Sequence, residues 1–181
     1  VGNQAVAVPA PPPTVPIILE NFDFRSAFYA AESCTVIDSG NAQVPPGSMD
    51  MTVVIFQGSP PHQATGTLAG GPFDLSGISL VTGWVQPDQS AADSLNFFGS
   101  PEARVFWAFK SPTGTRQWEF GQSYTTWVPD QWEQVSFNPQ IEGIADVGAF
   151  DVSNVQELVV GWFVGGGATG TLFWDDVEVA V

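Results

Sequence analysis

Between Ile17 and Ala180 the chain breaks into short apolar runs that are each closed by Gly, Pro, Asn, Asp or Ser. Runs of this length with such punctuation read as β-strands, because helices need longer stretches at a 3.6-residue period. The pattern predicts strands over 17–24, 34–38, 50–57, 77–86, 104–110, 115–121, 131–137, 155–164 and 169–180. The intervening GNAQVPPGS (40–48), GSPPHQATG (58–66), PDQSAADS (87–94), SPTG (111–114) and GGGATG (165–170) read as turns and loops. One or two helical turns are expected over SAFYAAES (26–33) and no other helix. Many short strands without a repeat period predict an all-β sandwich or barrel rather than a propeller or solenoid. In 155–164, Leu158, Val160 and Trp162 fall on one side and Val159 and Phe163 on the other. A strand apolar on both faces is either central in the sandwich or covered by something else.

Residues 1–16 have a different texture, with Pro at five of sixteen positions. They read as an extended polyproline segment, and residues 17–181 as one domain. Val6 and Val8 alternate, as do Val15, Ile17 and Leu19, which is how an extended segment presents apolar teeth to a groove. Such a segment can add to the open sheet edge of a neighbouring copy, and a head-to-tail arrangement of this kind assembles filaments or layers. The same teeth serve equally to dock the segment on its own sandwich.

Composition removes several function classes. Four Lys and Arg against 19 Asp and Glu make the formal charge −15, with no basic cluster of the density that nucleic acid or an anionic membrane requires. No run approaches the roughly 18 apolar residues that span a bilayer. One His (His62) and one Cys (Cys34) rule out a Cys/His zinc site and a disulfide within the chain. The acidity, the single Lys and the Ser/Thr/Gly/Asn-rich turns favour an extracellular or cell-surface setting, with Val1 as a mature N-terminus after signal-peptide removal.

Catalytic motifs are not evident. No carboxylates cluster as a glycosidase pair requires. Glu119, in Trp118-Glu119-Phe120, is expected to face solvent while its neighbours face inward. His62 has no nucleophile elbow beside it, and Gly165-Gly166-Gly167 precedes a strand rather than a phosphate-binding helix. The expectation is a non-enzymatic protein.

The one local anomaly is positive. Arg104, Lys110 and Arg116, three of the four cations, fall within thirteen positions, interleaved with Phe106 and Trp118, and an earlier strand offers Trp84 and Gln86. Three readings stay open: a sugar cleft in which Arg and aromatic rings alternate, a core whose cations relieve self-repulsion, or a docking patch for the acidic surface of another copy.

The last third carries Trp132-Glu133-Gln134-Val135-Ser136-Phe137, then Phe150-Asp151-Val152-Ser153-Asn154-Val155-Gln156-Glu157-Leu158, then Gly170-Thr171-Leu172-Phe173-Trp174-Asp175-Asp176-Val177-Glu178-Val179. This series resembles the end of the galactose-binding-like β-jelly rolls found in many carbohydrate-binding modules, and Phe22-Asp23 matches their usual opening strand. The resemblance covers 131–179 well and 17–181 loosely. It implies a β-sandwich jelly roll of two antiparallel sheets and a polysaccharide partner, although jelly rolls also serve in adhesins and structural proteins. It further implies a structural calcium held by Asp23 and Asp175. Alternation places Asp175 on one face with Phe173, Val177 and Val179, where a carboxylate is expensive unless paired or metal-bound. The alternative is that Asp175 caps backbone amides at a bulge while Asp23 is solvated. Of the two functions, a self-assembling extracellular subunit with a docking tail is expected first, and a carbohydrate-binding module second.

Overall fold

Period-two alternation becomes twelve strands in the computed structural model, which describes residues 17–20, 28–31, 34–39, 48–54, 62–68, 71–98, 103–121, 126–140, 145–164 and 169–179. In chain order these are β1 (Ile17–Glu20), β2 (Phe28–Ala31), β3 (Cys34–Ser39), β4 (Ser48–Val54), β5 (His62–Thr67), β6 (Val81–Pro87), helix α1 (Gln89–Phe98), β7 (Ala103–Ser111), β8 (Gly114–Gly121), β9 (Glu133–Phe137), β10 (Ala145–Gly148), β11 (Glu157–Val164) and β12 (Thr169–Val179). They form two six-stranded antiparallel sheets. Sheet A runs β3-β4-β12-β6-β9 with β1 also paired to β12, and sheet B runs β10-β8-β7-β11-β5-β2.

The sheets face one another across an aromatic core, as a β-jelly roll requires. Val81 and Val85 of β6, Val135 and Phe137 of β9, and Leu172, Trp174, Val177 and Val179 of β12 meet Val105, Trp107 and Phe109 of β7, Trp118 of β8, and Leu158, Val160 and Trp162 of β11. The Trp107 and Trp174 rings meet edge to face at 5.0 Å, and Trp118 stacks on Phe137 at 4.4 Å. Gly83 makes room for this contact between sheets, since a Cβ there would lie 2.8 Å from the Trp107 indole.

Tertiary pairing overrides several local expectations. The segment 26–33 supplies no helix to the described fold: Phe28–Ala31 is instead an edge strand on β5. Sheet pairing there outweighs the helix propensity of two alanines. The segment 58–66 was expected to turn, yet His62–Thr67 runs between β2 and β11. The expected loop 87–94 is the start of α1. The Asp88 carboxylate accepts the Ala91 N–H at 2.7 Å as its N-cap, while Ala91, Ala92 and Leu95 bury one face. Strand β10 was not anticipated.

Strand β12 departs from simple alternation. Its pairing with β6 slips between Asp175 and Val177, where Asp176 takes a φ of 25°. The extra residue of this bulge reverses the phase. Leu172 and Trp174, not Phe173, therefore share the core face with Val177 and Val179, and Phe173 is half-buried on the outer side.

Candidate functional site

The seven residues of the expected patch do not form one surface. Trp84 and Gln86 alternate with buried Val81, Gly83 and Val85 on β6, which puts them on the outer face of sheet A. Trp118 is 3 % exposed and lies in the core between Phe109 and Phe137. Arg116 shares that side of β8, at its rim. Arg104, Phe106 and Lys110 lie on the opposite, outer face of sheet B, because Val105, Trp107 and Phe109 point inward. The cause is the hairpin joining β7 to β8. Ser111 pairs with Gly114, so even-numbered positions of β7 stand opposite odd-numbered positions of β8: Phe106 faces Glu119, and Trp107 faces Trp118. Trp118 points inward as expected, while the side chains of Glu119 and Phe120 lie outside the described residues.

Arg116 is tied up structurally. Its Nε and Nη2 donate to the Asp146 carboxylate at 3.0–3.2 Å, and its Nη1 donates to the Pro139 and Gln140 carbonyls. Its guanidinium also lies 5.1 Å from the Phe150 ring centroid. A guanidinium so occupied fixes a loop to a strand and has little left for a ligand.

The outer face of sheet B is differently equipped. Along β7, Phe106 and Ala108 lie between Arg104 and Lys110 and form with Val159 of β11 a small outer cluster that is itself buried, at 2–3 % exposure. Arg104 stacks over the Phe163 ring at 4.6 Å, directly across the strand pair. Lys110 pairs with Glu157 at 3.4 Å, both side chains about one-third exposed (34 % and 36 %). Gln117 of β8 stands opposite Ala108, and Thr65 and Gln63 of β5 stand opposite Val159 and Gly161. Thr65 is buried with the apolar cluster, whereas Gln63, Arg104, Lys110, Gln117 and Glu157 remain half-buried around it. Planar amide and guanidinium groups so placed can accept and donate hydrogen bonds to the hydroxyls of a ligand.

Asp175 is fully buried, and its Oδ1 accepts the Asp176 N–H at 3.0 Å, as the bulge-capping alternative anticipates. The Asp176 side chain is also buried, at 3 % exposure, so two neighbouring carboxylates withdraw from solvent at the bulge. Carboxylates of this kind suit a hard cation. Asp23 lies outside the described residues, and among those described no group of three or more His, Cys, Asp or Glu side chains is set to hold a metal ion. Val6, Val8 and Val15 also lie outside the described residues. Ile17 and Leu19 belong to β1, whose backbone pairs with β12 of the same chain through Ile17–Val179, Ile18–Glu178 and Glu20–Val177.

Helix α1 stands where the sequence pattern predicts a loop. Asn96 donates through Nδ2 to the Trp127 carbonyl and accepts the Trp127 N–H at 3.0 Å, fastening the helix to a loop whose indole is 1 % exposed. The legible signal was an Asp after Pro87 followed by apolar residues at helical spacing, Ala91, Ala92 and Leu95.

No protein-family model matches the chain, and no curated protein matches it. Solved structures do. A family 11 carbohydrate-binding module from Clostridium thermocellum, in complex with a β-1,3-1,4-mixed-linked tetrasaccharide, superposes with a TM-score of 0.60 at 12 % identity, covering 92 % of this chain and 96 % of that one. A family 30 module of a cellulosomal cellulase from the same organism gives 0.58 at 14 % identity, covering 92 % and 98 %. The CBM22-1 xylan-binding domain of Paenibacillus barcinonensis Xyn10C gives 0.52 at 11 % identity, covering 93 % and 96 %. At such identities the likeness is one of backbone architecture alone. The chain has the β-jelly-roll fold of carbohydrate-binding modules.

Proposed function

We propose that this protein is a non-catalytic polysaccharide-binding module that works outside the cell, and that the outer face of sheet B is its binding surface. The observation that carries this reading is the half-buried Arg104–Phe163 stack, with the half-buried amides of Gln63 and Gln117 in the adjoining strands, set around the buried cluster of Phe106, Ala108 and Val159. Sugars combine apolar C–H faces with hydroxyl rims, and the ring of Phe163 under the Arg104 guanidinium, with planar amides nearby, offers groups of both kinds. The jelly-roll architecture supports the same reading, and it favours glycan binding over self-assembly as the function. The net charge of −15 favours neutral polysaccharides over polyanionic ones. No helix among the described residues is long and apolar enough to cross a membrane.

Affinity electrophoresis through gels containing β-1,3-1,4-mixed-linked glucan, xylan or galactan tests the proposal. Retardation by at least one of them is expected, weakened in Arg104→Ala with the fold unchanged by circular dichroism. Migration unaffected by every neutral polysaccharide would refute it. The calcium implied by the resemblance remains a proposal for Asp175: the melting temperature should rise with added calcium and fall with chelator, and no response to either removes the ion.

A further inference from the structure

We propose that the Lys110–Glu157 ion pair on the outer face of sheet B recognises two adjacent hydroxyls of one sugar unit, and so selects neutral polysaccharides whose linkage leaves such a diol free. The inference rests on the sheet B reading above and names the chemistry that this face recognises.

Strand pairing sets the arrangement. Lys110 of β7 stands directly opposite Glu157 of β11, Thr115 of β8 stands opposite Lys110, and Thr67 of β5 stands opposite Glu157. Directly opposed residues share a face, so the four side chains form one polar row across four strands, about 14 Å long at the usual strand spacing. Thr67 is exposed and the other three are half-buried. The Lys110 Nζ lies 3.4 Å from the Glu157 Oε2, with 34 % and 36 % of the two side chains exposed. Charge-assisted hydrogen bonds close to about 2.7–2.9 Å, so this contact is a loose one. It leaves the Glu157 Oε1 as an acceptor and ammonium N–H groups as donors.

A diol complements this pair. Each hydroxyl both donates and accepts. Adjacent equatorial hydroxyls of a pyranose project side by side, at a spacing close to that of the two charged heads. One hydroxyl can donate to the Glu157 carboxylate while its neighbour accepts from the Lys110 ammonium, so the sugar satisfies both charges without separating them. Strands β7 and β11 are interior to sheet B, each with a partner on either side, which holds the two positions at a fixed distance. An exposed ion pair adds little to stability, so this one is open to a binding role. A 1,4-linked backbone leaves an adjacent pair of ring hydroxyls free on each unit, whereas a 1,3-linkage consumes one of them. The pair therefore favours 1,4-linked units. An anionic glycan would meet Glu157 directly and a charge of −15 around it. A protein partner needs about 800 Å² on each side, far more than one row of four side chains presents.

The test compares wild type, Glu157→Ala, Glu157→Gln, Lys110→Met and Arg104→Ala by affinity electrophoresis in β-1,3-1,4-mixed-linked glucan, xylan and a purely β-1,3-linked glucan. On mixed-linked glucan or xylan, Glu157→Ala and Lys110→Met should each weaken binding by about tenfold, the loss of one hydrogen bond to a charged group. Glu157→Gln should lose less, because its amide keeps an acceptor. All three should melt within about 3 °C of the wild type, which separates a binding role from a structural one. Any retardation by the β-1,3-linked glucan should be the same in these variants as in the wild type. Wild-type affinity in Glu157→Ala and Lys110→Met, on a polysaccharide from which Arg104→Ala is released, would overturn the diol contact and leave the sheet-face reading standing. An equal loss on the β-1,3-linked glucan would overturn the selection for a free diol. A wild type retarded neither by these polysaccharides nor by galactan would overturn both readings.

Discussion

Arg116 and Asp146 stand directly opposite one another on β8 and β10 and are joined by a forked pair of hydrogen bonds at 3.0–3.2 Å. Arg116 keeps 22 % of its side chain exposed and Asp146 keeps 43 %, so solvent weakens the charge attraction while the shared geometry remains. The same guanidinium holds two loop carbonyls, and this makes it the clasp between the edge strand and residues 138–140.

Arg116→Ala should destabilise the fold by about 1–2 kcal/mol, lowering the melting temperature by about 2–8 °C for a domain of this size. Arg116→Lys should recover only part of the loss, because an ammonium cannot reproduce the fork. Polysaccharide affinity should be unchanged in both. Thermal denaturation together with affinity electrophoresis measures the two effects separately.

Gly83→Ala should cost about 1–3 kcal/mol, since the new methyl would meet the Trp107 indole at 2.8–2.9 Å in a core with no free space on that side. Urea denaturation gives the number directly. A variant as stable as the wild type would mean that the two sheets separate more easily than their packing indicates.

Asn96→Ala should cost about 2–3 kcal/mol by leaving the Trp127 N–H and carbonyl without their partner. Asn96→Asp should fall between the two, because a carboxylate accepts the N–H but cannot donate to the carbonyl. Trp127 is buried, so its loosening should appear as a red-shifted component of the tryptophan emission.

Asp74 responds to pH in a defined direction. The Ser76 hydroxyl, and after it the Ser76 backbone N–H at 2.9 Å, hold its carboxyl below the ordinary value of 3.8. A folded-state value lower than the unfolded one stabilises the fold above pH 3.8, and the contribution is lost as pH falls through the folded value. Carboxyl-detected NMR titration should place the midpoint of Asp74 below 3.8, and Ser76→Ala should move it upward. A midpoint that ignores Ser76→Ala would leave the shift without its cause.

Much of the sandwich was legible from alternation. The two apolar sides of residues 157–164 are real, and the reason is position: β11 lies between β7 and β5, with Leu158, Val160 and Trp162 in the core and Val159 in a smaller outer cluster. The candidate patch was less legible. Arg104 and Arg116 carry the same parity in the sequence, but the tight turn at Pro112-Thr113 exchanges parity between the strands and sends them to opposite faces. A two-residue turn between Ser111 and Gly114 was the available signal.

By itself, the sequence determined that this protein would be an acidic, aromatic-rich, two-faced β protein, because burial of alternate residues is a local property that composition and period record. Tertiary structure decided which strands adjoin, where β12 slips by one residue at Asp176, and why residues 89–98 coil instead of turning. Each of these depends on partners distant in the chain. Ala91 packs against Gly170, Asn96 against Trp127, and Asp175 stands across from Trp84, and no local preference encodes contacts closed over such separations.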